Sequence, residues 1–239
     1  MARREDAGLA KLMDQFVCVR VVQAWGLDLS LFQFDWRTTW TVFLMNGDKE
    51  IYGRFGSRFQ EDLEGLKKAL EGALELHKNY PGNKGELAGK KGVPIPWKVP
   101  EEMPAIVERG KFRPADSRKG CIHCHNVQDG AAKSFRATGQ PAPERFTAPW
   151  PTTQRTGFML DFADPTKVMD VTSGSPADKA GLKAGDRVLR FGGQPVISSA
   201  DVQWVLWSGP DTGPVKAEVD RAGQKVEAEL VLPAGWRTK

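Results

Sequence analysis

Apolar positions in the first 80 residues follow two periods. Leu9, Leu12, Met13 and Phe16 fall at i, i+3, i+4 and i+7, so the chain opens with a helix that hides one face. Directly behind it, Val17-Cys18-Val19-Arg20-Val21-Val22 is rich in β-branched residues and predicts a buried strand, with Cys18 as a small hydrophobe inside it. An aromatic-rich connection from Trp25 to Trp40 follows, its tryptophans serving as core filler. Strands are then expected around Thr41 to Met45 and Glu50 to Phe55, joined by Asn46-Gly47-Asp48-Lys49, because Asn-Gly between apolar runs signals a hairpin. Ser57 and Gln60 stand at capping-box spacing, and Leu63, Leu66, Leu70 and Leu74 mark the buried face of a long helix reaching Lys78.

Between 81 and 155 the periodicity breaks down. Ten of the 16 prolines lie there, leaving little room for regular elements, so the stretch reads as a linker with one small ordered knot around its cysteines. Lys84, Lys90, Lys91 and Lys98 read as a solvated basic face of that linker. From Gly157 onward short strands return, at Gly157 to Phe162, Lys167 to Val171, Arg187 to Phe191, Val215 to Arg221 and Lys225 to Leu232. Helices at Pro176 to Ala180 and Ser199 to Trp207 interrupt them. The expectation is an α+β chain of two domains, 1–80 and 156–233, joined by a connector over 81–155.

Charge and hydropathy narrow the function. Lys plus Arg number 34 against 30 Asp plus Glu in 239 residues, and a net charge of +4 is a soluble surface, not the concentrated basic field that nucleic acid requires. The longest apolar run, Trp40 to Met45, is far short of the ~20 residues that span a bilayer. Met1-Ala2-Arg3-Arg4 leads into Glu5-Asp6 without the apolar core of a signal peptide, so the chain as written reads as cytoplasmic.

The three cysteines are too few for a disulfide framework, yet Cys121-Ile122-His123-Cys124-His125 concentrates two of them beside two of the three histidines. This Cys-x-x-Cys-His spacing is that of c-type haem attachment, in which Cys121 and Cys124 bond the porphyrin and His125 ligates the iron. A second axial ligand does not stand out among Met103, Met159, Met169 and His77. A dithiol reading is also open, with Cys121 and Cys124 as the redox pair and His123, His125, Arg118 and Lys119 lowering a thiol pKa. Zinc would need help from Cys18 or His77, and a structural disulfide or idle thiols complete the alternatives. If the chain is an enzyme, it is an oxidoreductase; no hydrolase nucleophile stands in a supporting context.

Val171-Thr172-Ser173-Gly174-Ser175-Pro176-Ala177, then Ala180-Gly181-Leu182-Lys183-Ala184-Gly185-Asp186-Arg187-Val188-Leu189 and Gly192-Gly193-Gln194-Pro195-Val196, closely resemble PDZ domains of the bacterial protease-associated type. The resemblance runs to a final hairpin turned at Ala222-Gly223. It implies a domain that adds the C-terminus of a peptide or protein partner as a strand beside an exposed edge, with the carboxylate held by a glycine-led loop. That loop falls at Thr156-Gly157-Phe158-Met159-Leu160. Gly157 would let the carboxylate approach, Phe158, Met159 and Leu160 would line the pocket, and Gln203 and Leu206 of the facing helix would form the other wall.

The N-terminal part, through Leu29-Ser30-Leu31-Phe32-Gln33-Phe34-Asp35, Val42 to Asp48 and Ile51 to Gly56, resembles a bacterial family in which a thioredoxin-like domain is fused to a PDZ domain and some members are selenoproteins. The resemblance implies a thioredoxin-like fold that here lacks its first strand and its redox pair, with Thr39-Trp40 where thioredoxins carry a cis-proline. It also implies that coding for a strand, a Cys/Sec pair and an export signal precedes Met1, which would place the full-length product outside the cytoplasm. The combined expectation is an interaction module with a redox-silent thioredoxin-like domain and a Cys-x-x-Cys-His site.

Overall fold

The structure is a computed structural model, and it describes residues 6–56, 62–107 and 122–237. Contacts divide the chain into two compact units assembled from separate stretches: residues 1–17, 40–91 and 151–239 form one, and residues 18–39 and 92–150 form the other.

The first unit begins with α1 (Ala7–Met13), whose N-cap Asp6 accepts the amide of Leu9. Strands β1 (Val42–Met45) and β2 (Ile51–Phe55) pair antiparallel, with Val42 opposite Phe55 and Leu44 opposite Gly53. The hairpin tip is tied by Asn46, whose Oδ1 accepts the amides of Asp48 and Glu50. Helix α2 (Leu63–Lys78) starts at Asp62, which accepts the amide of Glu64; the Ser57/Gln60 cap lies outside the described residues. A short α3 (Lys84–Leu87) follows, continued by a 3-10 turn at Ala88–Lys90. Leu9, Leu44, Tyr52, Phe55, Ala69, Leu70, Ala73 and Leu87 make one core, and Ile197 from the far end of the sequence belongs to it.

The expected strand at 17–22 is not there. Val17, Val19, Val21 and Val22 are 60 to 95% exposed and Cys18 is exposed too, in a stretch with no strand assigned. β-branched residues favour a strand only where a neighbouring strand and a packed face complete it. Of the elements expected over 1–80, the opening helix, the hairpin and α2 are present and this strand is not. Trp40, expected in the core, is 40% exposed.

The second unit holds α4 (Pro104–Val107), α5 (Cys124–Ala137) and α6 (Glu144–Thr147). Ala24, Leu29, Met103, Ile106, Ile122, Val127 and Ala131 are its buried core, with Trp25, Trp36, Trp97 and Phe146 packed on it. Gln33 ties 18–39 to the later segment: its Nε2 donates to the Val93 carbonyl at 2.7 Å while its Oε1 accepts the Val93 amide at 2.9 Å. Much of the expected linker is thus folded, because apolar residues between its prolines find partners in 24–36.

The first unit resumes with β3 (Phe158–Leu160), β4 (Val168–Val171), α7 (Pro176–Lys179), β5 (Arg187–Phe191), β6 (Gln194–Pro195), α8 (Ser199–Ser208), β7 (Gly213–Arg221) and β8 (Gln224–Leu232). These elements match the sequence expectation, with β6 added. β3 and β4 form a two-stranded antiparallel sheet, and the other four make a sheet in the order β6-β5-β7-β8. Ala222 and Gly223 close the β7–β8 turn with φ of 51° and 86°, the positive-φ pair a tight hairpin needs.

Candidate functional site

The carboxylate-binding loop anticipated at 156–160 is a 3-10 turn, Thr153–Thr156, that hands the chain to β3 through Gly157. Gly157 sits at φ 93°, and a Cβ there would stand 2.1 Å from Ser175, so no other residue fits. Its amide is already engaged, donating to the Gln154 carbonyl at 3.0 Å. The amides available to an incoming group therefore begin at Phe158.

Strand alternation shows which way β3 faces. The Gly157 carbonyl accepts the Thr172 amide and the Asp161 amide donates to the Lys167 carbonyl, so both turn toward the β4 side. The register irregularity places its extra residue, Met169, on β4, leaving the β3 alternation intact. The peptide groups of Phe158 and Leu160 then face the opposite edge, which pairs with no strand among the described residues. Their side chains are buried at 1% and 4% exposure, with the Phe158 ring 6.1 Å from that of Phe191, while Met159 is half-buried.

Helix α8 packs on the turn that precedes β3. From Ala200 to Trp207 every residue is buried except Gln203, which is half-buried and remains a candidate wall residue. Leu206 is buried at 2% exposure. Together with Val205 it lines a cavity of about 520 Å³ on the side of Gly192, Gln194 and Val215.

The face of α8 holding Asp201 and Trp204 is covered by the hairpin and by the turn after α3. Asp201 Oδ1 accepts the Arg54 amide and pairs with Lys90 Nζ at 2.9 Å, and its Oδ2 accepts the Ile197 amide. Ser198 Oγ donates to the Arg54 carbonyl. The Arg54 guanidinium lies 4.1 Å from the centre of the Trp204 ring and donates to the Lys90 carbonyl, while Trp204 Nε1 donates to the Gly89 carbonyl. Arg54 and Lys90 are fully buried, and desolvation lowers both pKa values, that of Arg54 to about 10. Lys90, expected on a solvated face, is thus a core residue; Lys84 and Lys91 reach Glu50 instead.

In the second unit, Cys124 is the first residue of α5. Ile122 is fully buried and anchors the entry, and the His123 amide donates to Asn126 Oδ1. The rings of His123 and His125 stack at 5.7 Å, both exposed. Cys124 is half-buried, and burial pushes its thiol pKa up, opposite to the lowering expected of a redox thiol. Met103 is buried in the core at 1% exposure. Cys121, Arg118 and Lys119 lie outside the described residues. Among the described residues no three His, Cys, Asp or Glu side chains converge on a metal position.

Residues 155–232 match the family model of the PDZ domain. This segment is a PDZ domain. It is 34% identical over 77 residues to a probable periplasmic serine endoprotease DegP-like of Marinomonas sp. and 42% identical over 65 residues to a serine protease Do-like HtrA of Lactococcus lactis, matches that cover 32% and 27% of this chain. Each covers 16% of the relative, so the chain spans about a sixth of those proteins. Among solved structures, the HtrA3 PDZ domain bound to a phage-derived ligand is 21% identical with a TM-score of 0.27, over 30% of this chain and 65% of that one. No helix among the described residues is long and apolar enough to cross a membrane.

Proposed function

We propose that the PDZ domain takes up the free C-terminal end of a partner polypeptide, laid as an added strand along β3. The observation that carries this reading is the edge of β3: Phe158 and Leu160 turn their backbone groups away from β4 toward a side that no strand fills among the described residues. An unpaired strand edge offers a row of donors and acceptors to an extended chain, and main-chain bonds supply affinity with little demand on the ligand's sequence. In this reading the Phe158 amide, at the start of the strand, receives the terminal carboxylate, and the half-buried side chains of Met159 on β3 and Gln203 on α8 flank the ligand. The proteolytic activities of the relatives belong to those proteins and are not proposed for this chain.

The full chain should bind members of a library of free-acid C-terminal peptides with micromolar affinity by fluorescence polarisation. Amidating the terminal carboxylate of a binder should abolish binding. Equal affinity of the acid and amide forms would remove the carboxylate-directed reading.

A further inference from the structure

Residues of α8, the β5–β6 turn, β7 and β8 line the cavity of about 520 Å³, and none of Phe158, Met159, Leu160 and Gln203 is among them. The cavity is therefore apart from the β3 edge. Phe191 pairs with Gln194 across the turn, where Gly192 and Gly193 take φ of 57° and 78°, a conformation that glycine adopts without strain. The turn lies tight on α8: a Cβ at Gly192 would stand 2.5 Å from Cγ1 of Val205. At its end Gln194 is 9% exposed and packs on the turn after α3, where a Cβ at Gly89 would stand 2.7 Å from its Nε2. Val205, Leu206, Val215 and Leu232 supply buried apolar wall. The wall at the C-terminal end of α8 is fixed by Arg237, whose guanidinium donates to the Gly209 and Pro210 carbonyls at 2.9 and 3.3 Å.

Several polar groups of this lining are engaged within the protein. The Gly192 amide donates to the Lys216 carbonyl at 2.8 Å, the Gly209 amide to the Val205 carbonyl at 2.9 Å, and Ser208 Oγ to the Trp204 carbonyl at 2.7 Å. Gln194 Oε1 differs: it is buried and accepts from no donor among the described residues. A buried acceptor without a donor is a standing cost to the fold, removed by any group that brings one. Of the residues lining the cavity only Lys216 is charged, and it is exposed, so no buried charge calls for an ionic ligand. The ligand that fits is apolar over most of its surface, uncharged, and brings a donor. An aromatic ring N–H of the indole kind meets all three conditions, because it donates without accepting and so adds no unpaired acceptor of its own. The volume falls within the ~300–1,000 Å³ of small-molecule sites. We infer that the cavity is a second binding site, taking a small uncharged aromatic heterocycle whose ring N–H bonds Gln194 Oε1. This site goes beyond the uptake of chain ends and does not depend on it.

The test titrates the isotope-labelled full chain, followed by NMR, with indole and with benzothiophene, its shape-matched counterpart in which sulfur replaces the N–H. Saturable shift changes at the amides of Gly192, Gly193, Leu206 and Gly209 are expected, with indole bound about fivefold more tightly, the worth of one neutral hydrogen bond. Gln194→Met keeps the length of the side chain and removes the acceptor, and should bring the two affinities within about twofold of each other. Equal affinities for the parent, shifts that do not saturate, or saturable shifts confined to other residues would overturn the site and leave Gln194 Oε1 to water alone. A preference for indole that survives in folded Gln194→Met would overturn the role of this residue. The comparison of the two compounds on the parent needs no variant, so it decides the matter even if Gln194→Met fails to fold.

Discussion

Asp201 is shared between two buried cations, an arrangement in which the members are worth different amounts. Removing the carboxylate leaves Arg54 and Lys90 charged and unbalanced in the interior, and Asp201→Ala should cost about 3–5 kcal/mol, read as a lower denaturant midpoint. Lys90→Met should be far milder, because Asp201 keeps the Arg54 and Ile197 amides and an apolar side chain carries no desolvation cost. Asp164 supplies a pH signature. Its bonds from Arg187 hold the carboxyl down at about 2, below the unfolded value near 3.9, so its contribution is complete above about pH 4 and is lost as pH falls toward 2. Asp164→Asn should be less stable than the parent at neutral pH, with the two urea midpoints converging between about pH 4 and 2. Native thiol alkylation followed by mass spectrometry should modify exposed Cys18 before half-buried Cys124. None of the Arg54, Lys90 and Asp201 grouping was legible in the sequence: 147 positions separate Arg54 from Asp201, and lysine beside glycine and proline reads as solvated linker. Gly157, by contrast, could be placed in advance, because a tight turn into a strand leaves few alternatives.

The elements that could be read from sequence carry their own instructions. Helix α2 has a regular apolar spacing and the hairpin has Asn46-Gly47, whereas the Asp62 cap was not anticipated, the expected capping box having been at Ser57 and Gln60. The strand expected at 17–22 failed for the complementary reason, since four valines specify a strand only if something lies beside them. What no periodicity could show is that α2 presents glycine and alanine to two different surfaces. Gly65→Ala gains about 1 kcal/mol of helix propensity but drives a methyl into a backbone carbonyl, so a net loss of about 1–3 kcal/mol is expected by thermal or urea unfolding. Gly85→Ala, in α3 with nothing within 4 Å, should leave stability within about 0.5 kcal/mol of the parent.

At the scale of the chain, reading domains as consecutive blocks captured the PDZ domain but not its company. Compact units here are built from stretches far apart in sequence, and a linear boundary at 80 or 155 cannot express that. Ile197 belongs to the same core as Leu44, Tyr52 and Leu70, so tyrosine and tryptophan probes within this unit should report one unfolding transition. The enclosure of α8 has a further consequence for portability. A helix apolar almost all round is the signature of an element that has given up its own solvent face. Cut out at 155–232 and grafted onto another protein, the module would carry Ile197 and Trp204 as an adhesive patch, having traded interchangeability for a permanent neighbour.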